Sequence, residues 1–277
     1  MKETAHTINK QLVGVYTHAI KRNDHAKELP TILFFNSGLL PHIGPYRLYV
    51  KLARFFAKQG FNSFRFDLSG IGDSEKHKDS RLHKLQHNED IDKVLDFLNL
   101  EHGDASFISL GICSGAENAH ETMARDKRVV GAVSIDGYIY PTTKYYINRY
   151  LPKMFSFTSW KTLAKISFAK LVSIVRQNKE TEMNSIDMSS NKPSKEKISR
   201  EYQDFINRDA SLLSVFTASW PCNYKEQLSD VFSDLPFGDN LQTTYLEDAE
   251  HIFPLAEDRQ ALTKIISNWL EERFVSA

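Results

Sequence analysis

The chain has 277 residues, 41% hydrophobic and 25% charged, a balance that suits one large globular domain or two small ones. Thirty-five basic residues offset thirty-five acidic ones, so overall charge offers a nucleic acid or a membrane surface no general attraction, and any electrostatic bias must be local. The two cysteines, Cys113 and Cys222, make a poor disulfide framework, "MKETAHTINK" lacks the apolar region of a signal peptide, and no apolar run nears the ~18 residues of a spanning helix, so a soluble cytoplasmic protein is expected.

In chain order, "QLVGVYTHA" (Gln11–Ala19) is short and β-rich, and "PTILFFNSG" (Pro30–Gly38) is a continuous apolar run ending in turn residues, as in a buried parallel strand. "YRLYVKLARFFAKQG" (Tyr46–Gly60) spaces Leu48, Leu52, Phe55 and Phe56 for a helix closed by Gly60. "FNSFRFDLSG" (Phe61–Gly70) reads as the next strand, and "NEDIDKVLDFLNL" (Asn88–Leu100) as a helix with acids in its first turn. "ASFISLGICSG" (Ala105–Gly115) is a strand and a turn, "AENAHETMARD" (Ala116–Asp126) a helix, and "RVVGAVSID" (Arg128–Asp136) a strand. Strands alternating with helices imply parallel β-α-β units and a sheet covered on both faces.

That rhythm breaks after Asp136. Gly137 to Arg200 is aromatic, basic and helix-like, and it includes the polar stretch "QNKETEMNSIDMSSNKPSKEK" (Gln177–Lys197), which reads as a mobile connection. Strands return at "LLSVFTAS" (Leu212–Ser219) and "LQTTYLEDAEHIF" (Leu241–Phe253), and "RQALTKIISNWLEERF" (Arg259–Phe274) closes the chain as an amphipathic helix. The expected organisation is a core of residues 1–137 and 206–277, with residues 138–205 inserted as a helical cap.

The chemistry concentrates at "GICSGA" (Gly111–Ala116), which has the frame of a nucleophile elbow, G-x-S-x-G, with Cys113 in the nucleophile slot. An elbow holds its nucleophile on a strained turn between strand and helix, so Gly111 and Gly115 must be small. The helix N-terminus that follows favours a thiolate. The plainer alternative is a buried structural cysteine. Ser114 would be the nucleophile only in a frame slipped by one, which loses the glycine symmetry.

With these residues the chain resembles the α/β-hydrolase superfamily over most of its length. The nearest resemblance is to exosortase-associated hydrolases and their serine-aminopeptidase-like relatives. It rests on "FFNSG", "IGPYRLYVKLAR", "FRFDLSGIGDS" and "GICSGAENA" in that order, with "EDAEHIF" where such proteins keep a histidine. A cysteine nucleophile resembles dienelactone hydrolases and polyhydroxyalkanoate synthases instead. The resemblance implies an α/β-hydrolase fold, with a mostly parallel sheet, helices on both faces, and the cap inserted after the strand that follows the elbow helix.

It also implies roles. His251 is the expected base, late in the chain as the order nucleophile, acid, histidine requires. The backbone N–H of Ser114 and that of Leu39, beside Gly38, are the expected oxyanion donors. The usual acid is missing, because "FTASWPCNY" (Phe216–Tyr224) holds no Asp or Glu. Asp136, at the end of the strand after the elbow helix, is the first candidate to orient His251. Asn223 is the alternative, as in Cys-His-Asn sets, and Glu226 and Asp248 are weaker ones. Asp67, Gly70, Gly72 and Asp73 match a structural turn of the fold, with Arg47 and Arg65 as possible neutralisers. His83 and His87 lack the Glu of H-E-x-x-H and read as a solvated helix face, so no metal and no cofactor is assigned.

The expected activity is cleavage of a small-molecule ester or thioester through an acyl-enzyme on Cys113. Acyl transfer from a carrier-bound donor is one alternative, and a non-catalytic binding protein of the same fold is another. The basic and aromatic stretch from Ile139 to Arg176 (Lys144, Arg149, Lys153, Lys161, Lys165, Lys170 and Arg176, without an acid) suits an anionic carrier such as coenzyme A or acyl carrier protein, or a membrane surface. An ordinary cap with solvated lysines explains it equally well. Cys222, in the loop facing the elbow, is a candidate to pair with Cys113 under oxidation.

Overall fold

A computed structural model describes residues 1–20, 28–79, 82–138, 140–144, 147, 192–218, 224–236 and 238–276. Fourteen elements organise the described residues. The strands are β1 (Glu3–Ile8), β2 (Leu12–Thr17), β3 (Thr31–Phe34), β4 (Ser63–Phe66), β5 (Phe107–Ile112), β6 (Val129–Ile135), β7 (Ser211–Thr217) and β8 (Leu241–Leu246). The helices are α1 (Leu48–Lys58), α2 (His83–His102), α3 (Ser114–Arg125), α4 (Lys195–Asn207), α5 (Gln227–Val231) and α6 (Ala256–Leu270).

The strands form one sheet in the order β1-β2-β4-β3-β5-β6-β7-β8. The pairs β1–β2 and β2–β4 are antiparallel, and all others are parallel. Every residue of β3, β4, β5 and β7 is buried, as in strands covered on both faces. Alternation along β5 still divides the core. Phe107 faces a cluster with Val94, Leu98 of α2 and Ala119, Met123 of α3, whereas Ile108, Leu110 and Ile112 face Leu52 and Phe56 of α1 with Ile266 and Trp269 of α6. The sheet is thus covered on both faces, and the elbow between β5 and α3 emerges near its middle.

Several boundaries differ from the sequence reading for local reasons. Tyr46 and Arg47 have φ of 49° and 59°, so α1 starts at Leu48 rather than Tyr46. Helix α2 begins five residues before Asn88, at His83, and its first turn holds no acid. The polar start is secured by Gln86, whose amide donates to the Asp79 side chain at 2.8 Å, and the helix stops at Gly103 in the left-handed region. Helix α6 starts three residues early, at Ala256.

Of the expected cap, most residues, including Arg149, Lys153, Lys161, Lys165, Lys170 and Arg176, lie outside the described residues. Its end does not. Ser194 caps α4 by accepting the Lys197 N–H at 3.2 Å, so the stretch expected to be a polar connection is already helical at Lys195. Ile198, Tyr202 and Phe205 recur on one face of α4 and bury against the cluster that contains α3.

Arg65 does not neutralise the Asp67 turn. Its nearly buried guanidinium pairs with Glu3 of β1 at 3.0 Å, tying the sheet edge to β4. Arg47 is exposed. Glu3→Ala is therefore expected to lower stability by roughly 2–3 kcal/mol, the cost of leaving a charged donor buried without its acceptor. Denaturant unfolding of the two proteins measures it.

Candidate active site

Cys113 is the pivot of a turn. Its φ of 58° and ψ of −122° are rare for a residue with a side chain, and strain of this kind costs on the order of 1–3 kcal/mol. The backbone bonds that hold it are short. Its N–H donates to Ile135 O at 2.9 Å, and its carbonyl accepts the Ala116 and Glu117 N–H groups at 2.9 and 3.2 Å. The flanking glycines are required by contact. A Cβ on Gly111 would fall 2.1 Å from the Gly115 backbone, and one on Gly115 would fall 2.6 Å from Asn36 O. A further group supports the strand end just before Cys113. The wholly buried Tyr49 hydroxyl accepts the Ile112 N–H at 3.2 Å.

His251 lies in the turn between β8 and α6, and its Nδ1 donates to Asp136 Oδ2 at 2.8 Å. Asp136 is 4% exposed and, with φ of 48°, turns out of β6 into the space above β7. Two bonds from Thr217, at the end of β7, fix the carboxylate: the backbone N–H reaches Oδ1 at 2.8 Å and the hydroxyl reaches Oδ2 at 2.6 Å. The hydrogen bond to Asp136, and then one to Cys113, outweigh partial burial and raise the His251 pKa to about 9. A protonated imidazole is thus held between the carboxylate and the sulfur.

The geometry joins Cys113, Asp136 and His251, the last two 115 positions apart in the sequence. Asn223 and Cys222 lie outside the described residues. Glu226 faces away in an ion pair with Lys144 at 3.0 Å, and Asp248 is exposed. Thr217 was missed by the sequence reading, because a threonine ending a buried strand carries no distinguishing pattern.

Beside Ser114, Gly38 (φ 57°) is exposed, and its N–H donates to Ser114 Oγ at 2.9 Å. Leu39 follows on the rim, 86% exposed. This loop is braced from beneath. Asp67 is fully buried and accepts the His42 N–H and Nδ1–H at 2.6 and 2.7 Å, the Asn36 amide at 2.9 Å and the Asp73 N–H at 3.2 Å. Burial raises the Asp67 pKa, but the bonds from His42 and Asn36 win and hold it below the usual carboxylate range. Asn36 completes the brace by accepting the Leu68 N–H at 2.9 Å.

A Cβ on Gly72 would fall 2.3 Å from this carboxylate, which agrees with a structural turn. His42, Asp67 and Asp73 have the spacing of metal ligands, yet Asp67 spends its oxygens on four donors, so the cluster fits a brace better than a cation. His87 is half-buried in α2, and the side chain of His83 lies outside the described residues. No helix among the described residues is long and apolar enough to cross a membrane.

Thr217→Val removes one of the two donors that Thr217 offers Asp136 and keeps the side-chain shape. It is expected to leave Asp136 freer to turn and to weaken its hold on His251. The His251 pKa, read by NMR titration, should then fall from about 9 toward the ordinary histidine value of about 6.5.

No curated protein matches this chain. Its fold resembles that of a Pyrococcus furiosus esterase, Pf2001, with a TM-score of 0.58 at 13% identity, over 99% of this chain and 91% of that one. It also resembles the α/β hydrolase GrgF from Penicillium sp. (TM-score 0.57, 13% identity, 99% and 98% covered) and the proline iminopeptidase of Mycobacterium smegmatis (TM-score 0.58, 13% identity, 98% of both). A family model described as the alpha/beta hydrolase fold matches residues 30–274, nearly the whole chain, and so the protein belongs to the α/β-hydrolase fold family.

Proposed function

We propose that the protein is a hydrolase that cleaves a small-molecule ester or thioester through an acyl-enzyme on Cys113. The observation that carries this reading is the line from Asp136 through His251 to Cys113 at the mouth of a strained elbow. The esterase among its structural neighbours agrees with it.

In the first half-reaction the Cys113 sulfur attacks the carbonyl carbon. A C–S bond forms while the carbonyl π pair moves to oxygen. Collapse of that intermediate breaks the bond to the leaving group, which takes its proton from the His251 imidazolium. In the second, His251 accepts a proton from water as the water oxygen attacks the acyl carbon, and the C–S bond breaks. Asp136 stays ionised throughout, holding the imidazole ring in place and stabilising its charge. Thr217 keeps the carboxylate from turning away.

Cys113→Ala is expected to abolish turnover and leave the fold intact. Intact-mass detection of an acylated Cys113 across a panel of activated esters and acyl thioesters, carrier-bound donors included, tests the reading directly. Full turnover by Cys113→Ala would overturn it.

Asp136→Asn is expected to lower the rate by about a hundredfold or more, as loss of a positioned acid/base group does. It also removes the largest cause of the raised His251 pKa. For an alkyl ester, whose leaving group needs the His251 proton, kcat/KM of the parent should decline only above about pH 9. In Asp136→Asn that decline should move toward the ordinary histidine value of about 6.5. The pH profiles of the two proteins check the sign.

A further inference from the structure

Resting on the acyl-enzyme reading above, we propose that the hydroxyl of Ser114 is a further catalytic group: it donates a hydrogen bond to the oxyanion that forms when Cys113 attacks. The backbone N–H of the residue after the nucleophile is the ordinary donor at this place. The side chain of that residue usually has no part in the chemistry, but here it is drawn into the oxyanion loop. The Gly38 N–H donates to Ser114 Oγ at 2.9 Å.

This bond fixes the orientation of the hydroxyl. Its oxygen is committed to Gly38, so its own proton points elsewhere, and among the described residues it has no acceptor within the protein. Ser114 directly follows Cys113 and starts α3, and the bond from Gly38 sets its hydroxyl beside the loop expected to supply the second oxyanion donor. An N–H donating to an O–H that donates onward is a polarised chain, stronger at its end than an isolated hydroxyl. The Asp67 brace keeps the first link in place, since Asn36, two residues before Gly38, is bonded on both sides of its amide. The expected donor pair of Ser114 N–H and Leu39 N–H thereby gains a third member.

During acylation the C–S bond forms, the carbonyl pair moves to oxygen, and the Ser114 proton is shared with that oxygen without leaving Oγ. On collapse the pair returns and the hydrogen bond relaxes. No proton is gained or lost at Ser114.

The test uses the parent protein, Ser114→Ala and Ser114→Thr, with p-nitrophenyl butyrate as acyl probe and iodoacetamide as alkylating probe. Alkylation develops no oxyanion, so it reports Cys113 and His251 alone. Removing one oxyanion donor costs roughly a hundredfold or more. Ser114→Ala should therefore form the acyl-enzyme about a hundredfold more slowly, with the change in kcat rather than KM, while iodoacetamide labels Cys113 at the parental rate. Ser114→Thr, which keeps the hydroxyl, should restore most of the loss.

Equal acylation by the parent and Ser114→Ala would overturn the proposal and leave the cysteine-enzyme reading standing. So would faster acylation by Ser114→Ala, which would make the hydroxyl a plug in the oxyanion site. A parallel loss of acylation and alkylation would overturn it too, as a loop effect. If the parent forms no acyl-enzyme and labels slowly, the reading of the site itself fails.

Discussion

The turn at Cys113 is the constraint on which the rest of the site depends. A residue with a side chain is held at positive φ because β5 must end and α3 must begin within one residue, in the middle of the sheet. The strain is offset by three backbone bonds and by two glycines that let the strand, the helix and the loop after β3 approach to contact. Tyr49 accepts the Ile112 N–H at the strand end, just before β5 turns. With the turn fixed, the sulfur can point only upward, toward His251.

Electrostatics then follows from topology. β6 and β7 are parallel neighbours, with Ile135 beside Val215, so an acid leaving β6 and a residue ending β7 stand side by side. A carboxylate at either place can reach a histidine that follows β8. Here Asp136 leaves β6 and Thr217 ends β7: Asp136 accepts from both donors of Thr217 and from His251. The carboxylate, being wholly buried at its side chain, keeps its attraction for the imidazolium unscreened by solvent.

The opposite wall of the cleft is built by a second buried carboxylate. Asp67 gathers donors from the loop after β3 and from its own turn, and so couples β4 to the loop that carries Gly38. The two walls do different things with the same chemistry. One aspartate holds the His251 ring, and the other holds the loop whose Gly38 N–H meets the Ser114 hydroxyl.

Much of this was legible in the sequence. Mostly apolar runs at Thr31–Phe34 and Phe107–Ile112, separated by helices with a repeating apolar face, point to a covered parallel sheet, because strands buried on both sides are rich in apolar residues. The spacing of Gly111, Cys113 and Gly115 fixes the elbow, since the sterics of that turn are local. The order of Cys113, Asp136 and His251 was also readable as a candidate set. Only the tertiary structure could show Asp136 bonded to His251, because that pairing rests on two strands becoming neighbours and on a threonine 81 residues away donating both of its hydrogen bonds. The same holds for Arg65, whose partner on the sheet edge is 62 residues distant, and for Ser114, whose hydroxyl meets Gly38 across 76 residues. Periodicity and turn chemistry act over a few residues and are written along the chain. Hydrogen-bond partners chosen across a sheet depend on strand order and register, which no single segment encodes.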